Sequence, residues 1–127
     1  MAAKPKAPDS RCDQGKEQLA NSITITSDDL ITLRLTLCSA SYRVAVHLED
    51  RLLFDNKDDE LVRDELKLEL DPLSPGLYGL SWSYMTNADP WKVRSEVLVN
   101  GAVRFRQRKG SASDIPFQHS YLLLRVR

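Results

Sequence analysis

Chemistry in this chain would have to draw on few residues: the histidines His47 and His119, the cysteines Cys12 and Cys38, and the acidic run Asp55-Asn-Lys-Asp-Asp-Glu60. Serine and threonine are plentiful, but none lies in a Gly-x-Ser-x-Gly elbow, and neither histidine comes with an orienting acid at a recognisable spacing. Zinc or copper needs three or four converging nitrogen or sulfur ligands, and the two histidines hold no fixed spacing to cysteine or carboxylate. The acidic run follows a calcium loop only loosely, because Lys57 stands where an oxygen ligand is required and no glycine follows Asp59. These residues predict no catalytic centre, no metal and no cofactor. Both histidines read as half-exposed strand residues, and the expected function is that of a non-catalytic interaction module.

The charge points the same way. Residues 47–71 hold ten acidic against four basic residues, and residues 92–127 hold eight basic against two acidic, in a chain of zero net charge. Two opposed blocks on one small domain bear on partners and self-association. The basic block concentrates in Lys92, Arg94, Arg104, Arg106, Arg108 and Lys109, a candidate face for an acidic protein, a polyanion or an anionic membrane surface. The bland alternative is a solvated sheet face whose cations pair with Glu65, Glu69 and Asp71 across the domain. Nucleic acid is disfavoured, because the total charge is zero and the one aromatic between these cations, Phe105, belongs to the inward face, leaving little stacking platform.

The elements that must position these residues are strands. Ile31, Leu33, Leu35 and Leu37 alternate with Thr32, Arg34, Thr36 and Cys38, and residues 41–48 repeat the pattern with Val44, Val46 and Leu48 inward. The acidic stretch is ambiguous: Asp58-Asp59-Glu60 could open a short helix, while residues 66–71 alternate as a strand that stops at Pro72. Tyr78, Leu80, Trp82 and Tyr84 mark the central core strand. Val93, Ser95, Val97 and Val99 mark the next, and Asn100-Gly101 turns it back into Val103, Phe105 and Gln107. Seven or eight short strands without a strong helix predict an all-β domain over residues 22–127, an antiparallel two-sheet β-sandwich of immunoglobulin-like topology.

The hairpin at Asn100-Gly101 carries a register conflict. A plain two-residue turn would set Val97 opposite Arg104, mixing the buried face of one strand with the charged face of the next. A three-residue loop removes the conflict and predicts Val97 opposite Val103, Ser95 opposite Phe105, Arg94 opposite Arg106 and Glu96 opposite Arg104. Opposed arginines then ask for counter-charge from another strand, a partner or solvent ions.

Leu73-Ser-Pro-Gly-Leu-Tyr78-Gly-Leu-Ser-Trp82-Ser-Tyr-Met-Thr-Asn-Ala-Asp89 resembles the Pro-Gly-x-Tyr-x-Val-x-Trp segment of the copper-resistance periplasmic sandwich family. The resemblance covers about 17 residues and implies a β-sandwich. That family continues into Asp-Gly-His, whose histidine helps bind copper. Here Pro90-Trp91 follows Asp89 and no N-terminal histidine is present, so copper binding is not implied.

In the last strand Ser120, Leu122, Leu124 and Val126 form the expected core face, which leaves Phe117, His119, Tyr121 and Leu123 as an outward stripe. Such a stripe invites a protein partner or self-association, by strand addition if the strand is an edge; the alternative is that other strands or the tail cover it. Residues 1–21 carry one large aliphatic residue, Leu19, and are expected to be a flexible tail. Cys12 and Cys38 either bridge that tail to a strand or stay as two thiols. With 42% apolar and 28% charged residues the chain is ordinary globular protein. It shows no secretory signal and no apolar run near the roughly 20 residues that span a bilayer, and its compartment stays open.

Overall fold

The computed structural model describes residues 10–56 and 60–127. The helical alternative for Asp58 and Asp59 and the calcium-loop reading of residues 55–60 fall largely outside them, as does the first part of the expected tail. The described chain is all-β: β1 (Ser22–Ile25), β2 (Ile31–Leu48), β3 (Arg51–Asp55), β4 (Val62–Glu69), β5 (Gly76–Met85), β6 (Lys92–Val99), β7 (Ala102–Gly110) and β8 (Phe117–Val126), with one 3-10 turn at Arg11–Asp13.

The two strands expected over residues 31–38 and 41–48 are one strand of 18 residues, bent where Ser39 takes a left-handed φ of 68°. Small residues, Ser39-Ala40-Ser41, fill the corner. The Tyr42 hydroxyl donates to the Cys38 carbonyl at 2.7 Å and accepts from the Lys92 N–H at 3.1 Å, which clamps the bend to β6. Burial pushes that hydroxyl up to about 12, so it stays a donor.

Before the bend β2 pairs with β4 and β6; after it, with β3 and β5, β4 reaching past the corner only at Val62 opposite Tyr42. The expected antiparallel two-sheet sandwich of immunoglobulin type is therefore corrected. All eight strands belong to one hydrogen-bonded sheet, ordered β1-β8-β5-β2-β6-β7 with β3 and β4 on β2, and it curls toward a barrel. The sheet is also mixed, because β1 runs parallel to β8, with Ile23 beside Leu124 and Ile25 beside Val126. Both isoleucines are buried there, and their burial fixes which face of β1 turns inward.

The core follows the period-two alternation. Leu33, Leu35 and Leu37 from one arm of β2 and Val44 and Val46 from the other meet Leu80, Trp82 and Tyr84 of β5, Val93 and Val97 of β6, and Leu122 and Leu124 of β8. Tyr84 stands edge-on to both Tyr42 and Trp91, with centroids 6.2 Å apart in each case, and Trp82 stands edge-on to Phe105 at 5.6 Å. Trp82 also donates its indole N–H to Ser95 Oγ at 3.0 Å, so its one polar atom is satisfied inside.

The hairpin resolves its register conflict by another route than a longer loop. Asn100 (φ 51°) and Gly101 (φ 83°) form a two-residue turn, and Leu98 pairs with Val103. A bulge then leaves Arg104 unpaired, so that Val97 faces Phe105, Glu96 faces Arg106 and Arg94 faces Arg108. The pairings expected from a three-residue loop are thus each displaced, although the requirement behind them, valine against an apolar partner, is met.

Replacing Trp82 by Ala removes the largest buried side chain and orphans the Ser95 hydroxyl; it should cost about 3–5 kcal/mol in urea unfolding. Near-native stability of Trp82→Ala would show that this face of β5 is not the core.

Candidate functional site

Because Val93, Ser95 and Val97 turn inward, β6 presents Lys92, Arg94 and Glu96 on its outer face. There Glu96 is flanked by Arg34 of β2 on one side and Arg106 of β7 on the other. Its carboxylate is 0% exposed. Arg34 Nη2 lies 2.9 Å from Oε1, Arg94 Nε 3.1 Å from Oε1, and Arg106 Nε 2.9 Å from Oε2. Burial alone would raise the Glu96 carboxyl; hydrogen bonds from Arg106 and Arg34 and the charge of Arg94 overcome it and hold the group below its ordinary value. Three guanidinium groups on one carboxylate leave the cluster with surplus positive charge.

Residues 10–18 lie across that surplus as a strap. The carbonyl oxygens of Arg11, Asp13 and Lys16 accept from Arg94 (2.8 Å), Arg108 (2.9 Å) and Arg106 (3.3 Å), and the Asp13 carboxylate sits 3.0 Å from Lys92 Nζ. Gln18 and Arg106 exchange two main-chain hydrogen bonds of 2.9 Å, so the strap pairs with the otherwise open edge of β7. Gly15 makes the close approach possible: its φ is 79°, and a Cβ there would collide with the Arg106 guanidinium. A disulfide joins Cys12 to Cys38 at the corner of β2, with Cα atoms 6.4 Å apart.

Four of the six cations singled out in the sequence, Lys92, Arg94, Arg106 and Arg108, therefore come together under the strap. Arg104 is exposed on the bulge. Lys109 is not on this face: it stands opposite Val93, on the alternate side of β7, and pairs with Asp114 at 3.7 Å. Asp71, an expected counter-charge, pairs with Arg51 instead. Sequence reading missed Arg34 and the strap; the signal available was Glu96, the one acid among the cations of residues 92–109.

The opposite side of the molecule carries the second candidate. Here β5 and β8 present Leu77, Met85, Phe117, His119 and Tyr121 outward, with Phe117 52% and Tyr121 57% exposed and Leu123 partly covered. The Tyr121 ring lies over Gly79, where a side chain would collide with it. Strand β1 covers β8 only along residues 123–126, so among the described residues β8 has a ladder on one side alone from 117 to 122. Leu123 N–H donates to Asn21 O on the covered side, and by alternation Phe117, His119 and Tyr121 aim their main-chain groups at the open continuation of that edge.

A cavity of about 350 Å³ opens at the loop end between Thr86, Asp89, Trp91, Ser111 and Asp114. Its polar groups serve the loops: Asp114 accepts from Gly110 N–H, Ser111 from Trp91 N–H, and Thr86 from Ala88 N–H. Among the described residues no three His, Cys, Asp or Glu converge as metal ligands, and no helix is long and apolar enough to cross a membrane. Compared with family models, curated proteins and solved structures, the chain matches none.

Glu96→Gln should destabilise the fold by about 3–5 kcal/mol, since it leaves three guanidinium groups without their carboxylate. The lowered carboxyl also sets a sign: its contribution is fully present above the ordinary value of 4.5 and is lost as pH falls through the depressed folded-state value. Urea midpoints of the wild type should therefore fall below about pH 4.5 more steeply than those of Glu96→Gln. Parallel slopes would remove Glu96 from the acid response.

Proposed function

We propose that this chain is a non-catalytic β-domain that binds a protein partner, or a second copy of itself, through the outer face of β5 and β8. One observation carries the reading: Met85, Phe117 and Tyr121 stand exposed on neighbouring strands, with Leu77 exposed toward the far end of β5, beside a stretch of β8 that pairs on one side alone among the described residues. Exposed aromatic side chains that are already ordered bring large contact area at little entropic cost, and an open edge adds main-chain hydrogen bonds. Register supports a continuous patch, because Met85 is opposite Phe117 and Gly79 opposite Leu123, with Gly79 leaving room for the Tyr121 ring.

Tyr121→Asp and Leu123→Lys test this reading. Both should keep the circular dichroism spectrum of the parent, while sedimentation equilibrium loses any self-association and capture from a lysate of the source organism loses its specific partners. Unchanged association in both variants, or unfolding of both, ends the proposal.

A further inference from the structure

We propose that the arginine face of β2, β6 and β7 is a binding site for an extended acidic peptide, and that residues 10–18 fill it as a tethered stand-in released by reduction of the Cys12–Cys38 disulfide. This inference concerns the other side of the molecule and stands apart from the β5–β8 reading. The strap makes the contacts such a peptide would make. It adds a main-chain pair to the β7 edge through Gln18 and Arg106, turns backbone carbonyls to three arginines, and offers the Asp13 carboxylate to Lys92. A lipid headgroup or free phosphate has no backbone to pair with an edge strand, so the chemistry favours a peptide.

The strap is also poorly matched in charge. Its Lys16 is exposed and gives Arg106 only its carbonyl oxygen, whereas Arg11 gives Arg94 its carbonyl oxygen and places its guanidinium 3.5 Å from Asp64 of β4. With the strap lifted, the carboxylate that the described ion pairs place among Lys92, Arg34, Arg94, Arg106 and Arg108 is Glu96, which is already spent on three of them. A strand with a carboxylate at the place of Lys16 would gain where the strap does not. What keeps the weaker occupant in place is its covalent anchor. A dithiol reductant attacks one sulfur of the cystine, the S–S bond breaks and two electrons pass to Cys12 and Cys38. The two thiol protons end on those cysteines, and the reductant closes its own disulfide. The strap then holds only by its hydrogen bonds and exposed ion pairs.

The probe is a fluorescein-labelled peptide of residues 10–21 carrying Cys12→Ser and Lys16→Glu, titrated by anisotropy into the full chain. Oxidised protein should bind it weakly. Dithiothreitol-reduced protein and the Cys12→Ser variant should bind it about tenfold tighter, the gain being limited because the tethered strap still competes. Adding Arg108→Ala to Cys12→Ser should remove most of that gain, since Arg108 holds Asp13 O but does not touch Glu96. Hydrogen exchange should quicken for amides 10–18 on reduction while β2, β5 and β6 stay protected. Equal affinity in both redox states overturns the proposal, as does failure of the reduced protein to bind the peptide. Loss of strand protection on reduction would make the strap part of the cooperative fold rather than a cover. Binding of phosphatidylserine vesicles without peptide binding would assign the face to a membrane surface instead.

Discussion

The bend in β2 is the constraint on which everything else in this molecule rests. One strand carries the ladder of β4 and β6 on one arm and that of β3 and β5 on the other, so the corner at Ser39 sets how the two halves of the sheet close over the core. Several features converge there. Tyr42 ties the corner to β6, Cys38 anchors the strap beside it, and Lys92, paired with Cys38, reaches Asp13 of the strap. The same turn of chain that shapes the core thus decides where the N-terminal segment is fastened.

Burying Glu96 is the second choice with consequences. Taking a carboxylate out of water costs several kcal/mol, and one arginine would offset that only with favourable geometry. Here three surround it, and the outermost charge is then distributed over groups that remain part-exposed. That arrangement explains how opposed arginines such as Arg94 and Arg108 are tolerated on neighbouring strands. It leaves donors pointing outward, and the strap's carbonyl oxygens meet them.

Much of this fold is legible from residue alternation. The strands around Trp82, Val97 and Leu122 are where the period-two pattern puts them, because one face of each has to be buried. Other features have no local signature. Strand β3 (Arg51–Asp55) lies between the strands that alternation marks, too short to show a period of its own, and it forms by pairing with β2. The parallel partner of β1 is likewise a matter of which edge is left over. In the hairpin, periodicity demands one extra residue but does not say where; the turn dihedrals of Asn100 and Gly101 put it at Arg104, which moves Arg106 onto Glu96. The basic residues were visible as a block, whereas their common carboxylate, the contribution of Arg34 and the cover over them depend on contacts between residues far apart in sequence. Residues 10–21 look too polar to pack, and by hydrophobic burial they would not; the strap is held by a disulfide, an edge pairing and hydrogen bonds to arginine, none of which raises its apolar content.

The two outer faces differ in what each leaves unsatisfied, and that difference decides which is open. On the β5–β8 side the large apolar groups are exposed and the ladder of β8 with β1 covers only residues 123–126. On the arginine side the corresponding edge, that of β7, is paired through Gln18 and the cations are met by the strap. The segment that runs from Gln18 to Ile25 links the two, pairing first with β7 and then with β8. It therefore stands at the seam where the curled sheet would otherwise lie open. The same run of chain thus carries the strap at one end and, at the other, the strand β1 that covers β8 from residue 123 onward.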